Sequence, residues 1–238
     1  MFDNARRKLA AWLAPEAAPL ASLAPLGVGQ GDLPRFDVTA NAGAFSVEFL
    51  EPVVSAPVWM SRAERLLVFT LAFTLHPQRY LEIGTFQGGS ALIVNAALNA
   101  LKSDGRIFCV DPEPRVSPEN WQTLSGRSQM FKGFSPAILP EVAAAAGARF
   151  DLTLIDGDHS YAGAQRDAEG VLPYMQSGAY MLFHDGFFPD VKRAIDDFVL
   201  AHQDRVVDFG LLTREITTQS DDKGNRVEWG GIRAVYVR

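Results

Sequence analysis

Apolar positions along the chain change their period repeatedly, and each change marks an element. Ala63, Leu67, Leu71 and Leu75 recur at helical spacing behind a Ser61/Glu64 capping-box pattern, and Pro77 ends the run. Tyr80 to Ile83 is a short apolar run that predicts a strand, and a helix follows from about Ser90 to Leu101. The alternation continues with strands over Ile107 to Val110, Gln129 to Phe131, Leu152 to Ile155 and Ala179 to Phe183. Between and after them lie helices over Pro118 to Leu124, an alanine-rich stretch ending near Gly147, Tyr161 to Tyr174, and Val191 to Ala201. In the last of these Val191, Ala194, Ile195, Phe198 and Val199 share one face, the stripe needed to cover a sheet. Two final apolar runs, Val206 to Leu212 and Val227 to Val237, flank a polar segment with Asp221, Asp222, Gly224 and Asn225 and predict a hairpin.

Strands separated by helices imply parallel pairing, because parallel neighbours need a crossover connection and that crossover is usually helical. The predicted fold is therefore α/β, a doubly wound and mostly parallel seven-stranded sheet with a terminal antiparallel hairpin, formed by residues 60–238. Residues 1–59 read differently. Arg6, Arg7 and Lys8 precede a short amphipathic helix around Leu9 to Leu13, and residues 14 to 36 are rich in Ala, Pro and Gly, an arm suited to capping a substrate or wrapping a second copy in a homo-oligomer. Pro15 and Glu16 interrupt the apolar run, and no later stretch approaches the roughly 18 residues of a membrane span.

Charge narrows the functional classes. The chain carries 22 Lys and Arg against 28 Asp and Glu, a net −6, so there is no global positive field to hold a nucleic acid or an anionic bilayer. One cysteine, Cys109, closes no intramolecular disulfide, which fits a reducing compartment and a cytoplasmic protein; between Phe108 and Val110 it reads as inert core.

Candidate chemistry begins at the end of the first strand, in Glu82-Ile83-Gly84-Thr85-Phe86-Gln87-Gly88-Gly89-Ser90. Open α/β sheets bind ligands outside the carboxyl ends of their strands. A dinucleotide loop has a glycine where this one has Phe86, so a pyrophosphate fits poorly and a dehydrogenase is excluded. Glu82 suits a nearby amine or sulfonium, and Asp111, ending the second strand, can accept two hydrogen bonds from ribose hydroxyls. Together they describe a nucleoside without phosphate.

From residue 60 to 238 the chain resembles the class I S-adenosylmethionine-dependent methyltransferases, which have a Rossmann-like fold. The resemblance is carried by Leu81 to Ser90 as the glycine motif and Val110-Asp111-Pro112 as the ribose motif. Ile155-Asp156-Gly157-Asp158-His159-Ser160-Tyr161 and Phe183-His184-Asp185 look like the branch of metal-dependent small-molecule and sugar O-methyltransferases. The resemblance implies that Glu82, Gly84, Thr85, Gly88 and Ser90 surround the methionine part of the cofactor, with Asp156 beside it. Asp111 would hold the ribose, and the Gly133-Phe134-Ser135 turn the adenine.

Asp156 and Asp185 close the fourth and fifth strands, and Asp158, His159 and His184 crowd the same rim. Carboxylates so placed repel one another unless something positive offsets them, and a divalent cation would do so. Asp156, His184 and Asp185 are the predicted metal ligands. Relatives of the catechol type use an all-oxygen set with magnesium; His184 departs from it and brings manganese or iron into consideration, as well as an empty site. The implied reaction is displacement of the sulfonium methyl by an acceptor hydroxyl of a sugar or secondary metabolite, with His159 as general base and Asp158 as the second candidate. An N-methyltransferase or a metal-dependent hydroxylase would use the same fold, and a non-catalytic nucleoside-binding module would need no such acidic rim. Structural uses compete: Asp156 and Asp158 as turn residues capping the Tyr161 helix, His159 as a hydrogen-bonded first-turn residue, and His184 as a buried, satisfied histidine.

Overall fold

The computed structural model describes residues 47–220 and 224–238. The predicted amino-terminal helix and the arm over 14 to 36 lie outside the described residues. The described chain begins with a single 3-10 turn, Val47–Leu50, and a short helix α1 (Glu51–Ser55), followed by α2 (Arg62–Leu75). Alternation then runs β1 (Arg79–Ile83), α3 (Gly89–Ala100), β2 (Arg106–Asp111), α4 (Pro118–Leu124), β3 (Ser128–Lys132), α5 (Leu139–Ala146), β4 (Phe150–Ile155), α6 (Tyr161–Val171), β5 (Met175–Phe183) and α7 (Pro189–Ala201). The chain finishes with β6 (Val206–Leu211), β7 (Thr217–Ser220), β8 (Arg226–Trp229) and β9 (Arg233–Val237).

Seven strands form one sheet in the order β3-β2-β1-β4-β5-β9-β6. The five strands from β3 to β5 are parallel, and β9 runs antiparallel between β5 and β6. The chain order reverses at β1 and β4, the switch point at which such sheets bind ligands. Side chains alternate between two cores, as strand pleating requires. Tyr80, Ile107, Cys109, Leu152 and Leu154 pack under α1 to α4, while Leu81, Ile83, Phe108, Val110, Phe150 and Ile155 pack under α5 to α7. Val53, Ala56 and Met60 join the first core, so the segment just ahead of α2 is packed against the sheet domain. The Ser61/Glu64 capping box forms as the sequence predicts.

One predicted element is corrected. Val227 to Val237 is not a single strand: Gly230 and Gly231, with φ of 91° and 85°, break it into β8 and β9. β8 pairs with β7 as a separate two-stranded sheet, nested inside the antiparallel β6–β9 pair. Among the described residues no helix is long and apolar enough to cross a membrane.

Candidate active site

Where β1 ends, the backbone turns through Gly84 with φ of 89°, and its N–H donates to the Val110 carbonyl at 2.9 Å. A Cβ at this position would sit 2.0 Å from the Asp156 carbonyl oxygen, so only glycine lets β1 and β4 come this close. Gly89, at the start of α3, is pressed against the Pro57 carbonyl, 2.5 Å from where a Cβ would lie. These approaches leave a cleft of about 600 Å³ over the carboxyl ends of the strands. Of the residues the sequence singles out for a cofactor, Gly84, Thr85, Ser90, Asp111, Ser135 and Asp156 line it. The Asp111 carboxylate faces the cleft and is held by the N–H groups of Phe86 and Glu113, each 2.7 Å away. Each oxygen keeps further acceptor capacity for a ribose hydroxyl.

Glu82 and Gly88 do not line the cleft. Glu82 shares the pleat of Tyr80, pairs in register with Cys109 and Leu154, and is wholly buried beneath the loop. Its Oε2 accepts from the Tyr80 hydroxyl at 3.0 Å, and burial pushes its pKa up to about 7 against the pull of the Ser90, Tyr80 and Thr85 hydroxyls. It supports the loop from below. Gly88 caps α3 with φ of 79° and turns its N–H to the Thr85 carbonyl. Sequence reasoning missed Asp167, which lines the far wall beside Ser135; burial raises its carboxyl to about 6.

At the other end of the cleft the predicted acidic and histidine residues meet. Asp156, His159, His184 and Asp185 each present one ligand atom, all within 4.8 Å of one another. His184 Nδ1 lies 3.0 Å from Asp156 Oδ1 and 3.3 Å from Asp185 Oδ2; His159 Nε2 lies 3.3 Å and 2.9 Å from the same two oxygens. The Asp185 backbone is left-handed, φ 53°, and its Oδ1 accepts from Gly230 N at 2.6 Å. Burial opposes charge on every member, yet mutual pairing wins. Asp156 and Asp185 fall below the carboxylate range, His184 rises well above an ordinary imidazole, and hydrogen bonds to Asp156 and Asp185 raise His159 to about 9. Asp156, His184 and Asp185 offer two carboxylates and one imidazole this close together, a donor set that fits a divalent cation, and His159 stands beside them.

Asp158 stands apart from that cluster. Its Oδ1 accepts from Ser160 N at 2.9 Å and its Oδ2 faces Arg166 at 3.4 Å, so its carboxylate closes the turn into α6, whose N-cap is Ser160. That is the structural use the sequence allowed for it. His76 sits at the C-cap of α2.

A second cavity of about 710 Å³ opens beyond the cluster. Val58, Trp59, His159 and Asp185 line both spaces, and Glu64, Ile216, Thr217, Gln219 and Trp229 line only the second. Trp229 stacks on Phe188 at 4.2 Å and stands edge-on to His159 at 5.6 Å. The sequence pattern marks Glu64 only as part of a helix cap. In the structure Glu64 is 1% exposed, approaches His184 Nε2 at 3.5 Å, and accepts from Ser61 N and Gly231 N.

A family model described as a methyltransferase domain matches residues 81–186. No curated protein sequence matches the chain. Among solved structures, the O-methyltransferase from Bacillus cereus in complex with SAH is 18% identical with a TM-score of 0.58, over 83% of this chain and 94% of that one. The O-methyltransferase TomG from Streptomyces achromogenes, in complex with SAM, is 19% identical with a TM-score of 0.56, over 86% and 92%. The MycE methyltransferase of the mycinamycin biosynthetic pathway, in complex with Mg, SAH and mycinamycin VI, is 16% identical with a TM-score of 0.54, over 80% of this chain and 53% of that one. At these identities the likeness establishes the fold, and the family model adds the domain. Sheet order, glycine-loop cleft and family model agree: residues 81–186 match a methyltransferase domain, set in a sheet with the fold of the O-methyltransferase structures above.

Proposed function

We propose that the domain transfers the methyl group of S-adenosylmethionine to a hydroxyl of a small-molecule acceptor, with a divalent cation held by Asp156, His184 and Asp185. The observation that carries this reading is that the nucleoside cleft and the second cavity share one wall, at Val58, Trp59, His159 and Asp185. A cofactor held with its ribose on Asp111 and its sulfonium near Asp156 would present its methyl group toward that wall. An acceptor in the second cavity meets it from the opposite side, the arrangement an in-line displacement needs. S-adenosylmethionine supplies the electrophilic methyl, and the cation supplies a Lewis acid that makes an acceptor hydroxyl more acidic.

The chain's own residues do the rest. Trp59, Ile216 and Trp229 give the acceptor an apolar seat and exclude water, while Thr217 and Gln219 offer polar contacts for orientation. The acceptor oxygen gives up its proton, forms the new C–O bond as the C–S bond breaks, and leaves neutral S-adenosylhomocysteine. His159 is placed to take that proton, because it lines both cavities. In the metal-free cluster it holds a proton of its own, raised to about 9 by Asp156 and Asp185. With a divalent cation on those carboxylates the positive charge of the imidazolium would no longer be needed there, and His159 would be free to act as base. The cation in MycE's complex and the O-methyltransferase activity named for TomG and the Bacillus cereus protein are consistent with this reading.

The test is a calorimetric titration with S-adenosylhomocysteine after chelation, followed by magnesium, manganese or iron(II). Micromolar cofactor binding without metal is expected, with a separate metal isotherm that disappears in Asp185→Ala while cofactor binding survives. No cofactor binding would overturn the cleft assignment, and no metal isotherm in the parent protein would remove the cation.

A further inference from the structure

His184 has two ring nitrogens, and they face different surroundings. Nδ1 faces Asp156 and Asp185 at 3.0 and 3.3 Å. Nε2 points away from the cluster into the protein, where it is buried and within 3.5 Å of Glu64 Oε1. That separation is at the outer limit of a hydrogen bond, and no better partner meets this nitrogen among the described residues. A buried ring nitrogen ordinarily finds a partner, and Glu64 is the group the fold delivers to it.

Glu64 is itself fixed from two sides. It sits in the first turn of α2, where its Oε2 accepts from Ser61 N at 2.6 Å to close the capping box. Its Oε1 accepts from Gly231 N, across a sequence separation of 167 residues. The preceding N–H, that of Gly230, goes to Asp185 Oδ1. Two successive amides after β8 therefore tie Glu64 and Asp185 to one piece of backbone, and the carboxylate beside Nε2 has little freedom to leave. A helix cap alone explains none of the Oε1 contacts, because the capping box uses only Oε2.

We infer that Glu64 is a positioning residue for the cluster: it accepts the Nε2–H of His184 and so leaves the Nδ1 lone pair of that ring facing Asp156 and Asp185, available to a divalent cation. The chemistry is one-directional. An ionised carboxylate can only accept, and a neutral imidazole carries a single N–H, so the proton belongs on the nitrogen that meets Glu64. A ligating histidine is usually oriented in this way by a carboxylate on its other nitrogen. The inference rests on the metal reading proposed above and adds to it a residue that lies outside the ligand set.

Two measurements test it. In the parent protein bound to S-adenosylhomocysteine and magnesium, long-range 15N–1H spectra of the histidine rings should show His184 as the Nε2–H tautomer. Manganese calorimetry on the same complex should show binding weakened about 10- to 100-fold in Glu64→Gln, with S-adenosylhomocysteine affinity unchanged within about twofold. Glutamine still closes a capping box, so the variant keeps the helix start and removes the obligate acceptor beside Nε2. Unchanged manganese affinity in Glu64→Gln, or an Nδ1–H tautomer in the parent protein, would overturn the inference. Should the variant fail to bind S-adenosylhomocysteine, the tautomer in the parent protein decides. A parent protein that binds S-adenosylhomocysteine but neither cation removes the metal reading and this inference with it, an outcome distinct from a bound cation with the wrong tautomer.

Discussion

The two ends of the active site are assembled in different ways. The nucleoside side is drawn mainly from one stretch of chain, Ile83 to Ser90, with Asp111 from the adjacent strand. The acidic side gathers Glu64 from α2, Asp156 and His159 after β4, His184 and Asp185 after β5, and Gly230 and Gly231 between β8 and β9. The first is shaped by backbone sterics, with Gly84 admitting β4 and Gly89 admitting the Pro57 segment. The second is shaped by charge, with three carboxylates and two imidazoles in mutual contact. A wall made by sterics keeps its form whether or not a ligand is present. A wall made by charge depends on which positive group sits within it, so its response to protons and cations is part of its chemistry.

The harshest way to break this comparison is to spoil the steric wall. In Gly84→Ala the new Cβ meets backbone, not a flexible side chain, at a position whose φ of 89° already disfavours any residue with a Cβ. We expect loss of S-adenosylhomocysteine binding by at least about 100-fold and destabilisation of roughly 3 kcal/mol or more, read by calorimetry and denaturant unfolding. Cofactor affinity near that of the parent would show that β1 and β4 can separate without cost, and the contrast between a rigid and an adaptable wall would collapse.

This division also explains what could be read in the sequence. The steric wall was legible because its residues are contiguous: a glycine loop after a strand and an acid after the next strand are local patterns with local causes. Asp156, His184 and Asp185 were legible because each ends a strand, and parallel strands place their ends side by side. Glu82 was misplaced since a strand pattern gives the face on which a side chain lies but not how deep it lies. Glu64 and the Gly230–Gly231 link were invisible as site residues, because their meeting depends on β9 inserting beside β5, a pairing that no local signal encodes. Gly230 and Gly231 signal a bulge in the last apolar run, but the full split into β8 and β9 depends on the same pairing: apolar content continues through Ile232 while the backbone does not.

A gentler probe uses the buried acid that supports the loop. Glu82 titrates at about 7 in the folded protein, above its ordinary value of 4.5, so between those limits the folded state holds a proton that the unfolded chain has lost. Its contribution to stability therefore falls as pH rises from about 4.5 to 7 and levels off above the folded value. Glu82→Gln removes that titration. The stability difference between variant and parent should grow in the variant's favour across this window, by on the order of 2 kcal/mol between pH 5 and 8, measured by urea unfolding. Asp156 and Asp185, held below the carboxylate range, act in the opposite sense and only at lower pH, while Asp167, raised to about 6, titrates inside the window in both proteins and cancels in the difference between variant and parent. A pH-independent difference would mean that the carboxyl is ionised in the fold and that the loop rests on a charge.

The smallest expected effect sharpens the border of the charged wall. Asp158 lies two residues from Asp156, lines the same cleft and carries the same carboxylate, yet its partners are Ser160 N and Arg166 and its side chain is 49% exposed. Asparagine keeps an acceptor for Ser160 N and gives up only the exposed pair with Arg166, which is worth less than about 0.5 kcal/mol once solvent screening is allowed for. Asp158→Asn should therefore leave metal affinity and cofactor affinity within about threefold of the parent, whereas Asp156→Asn should lose metal binding altogether. The contrast follows from geometry: Asp156 ends its strand inside the cluster, and Asp158 has already turned toward α6. A large loss of metal affinity or of methyl transfer in Asp158→Asn would extend the charged wall beyond the four clustered groups and restore Asp158 as a candidate base.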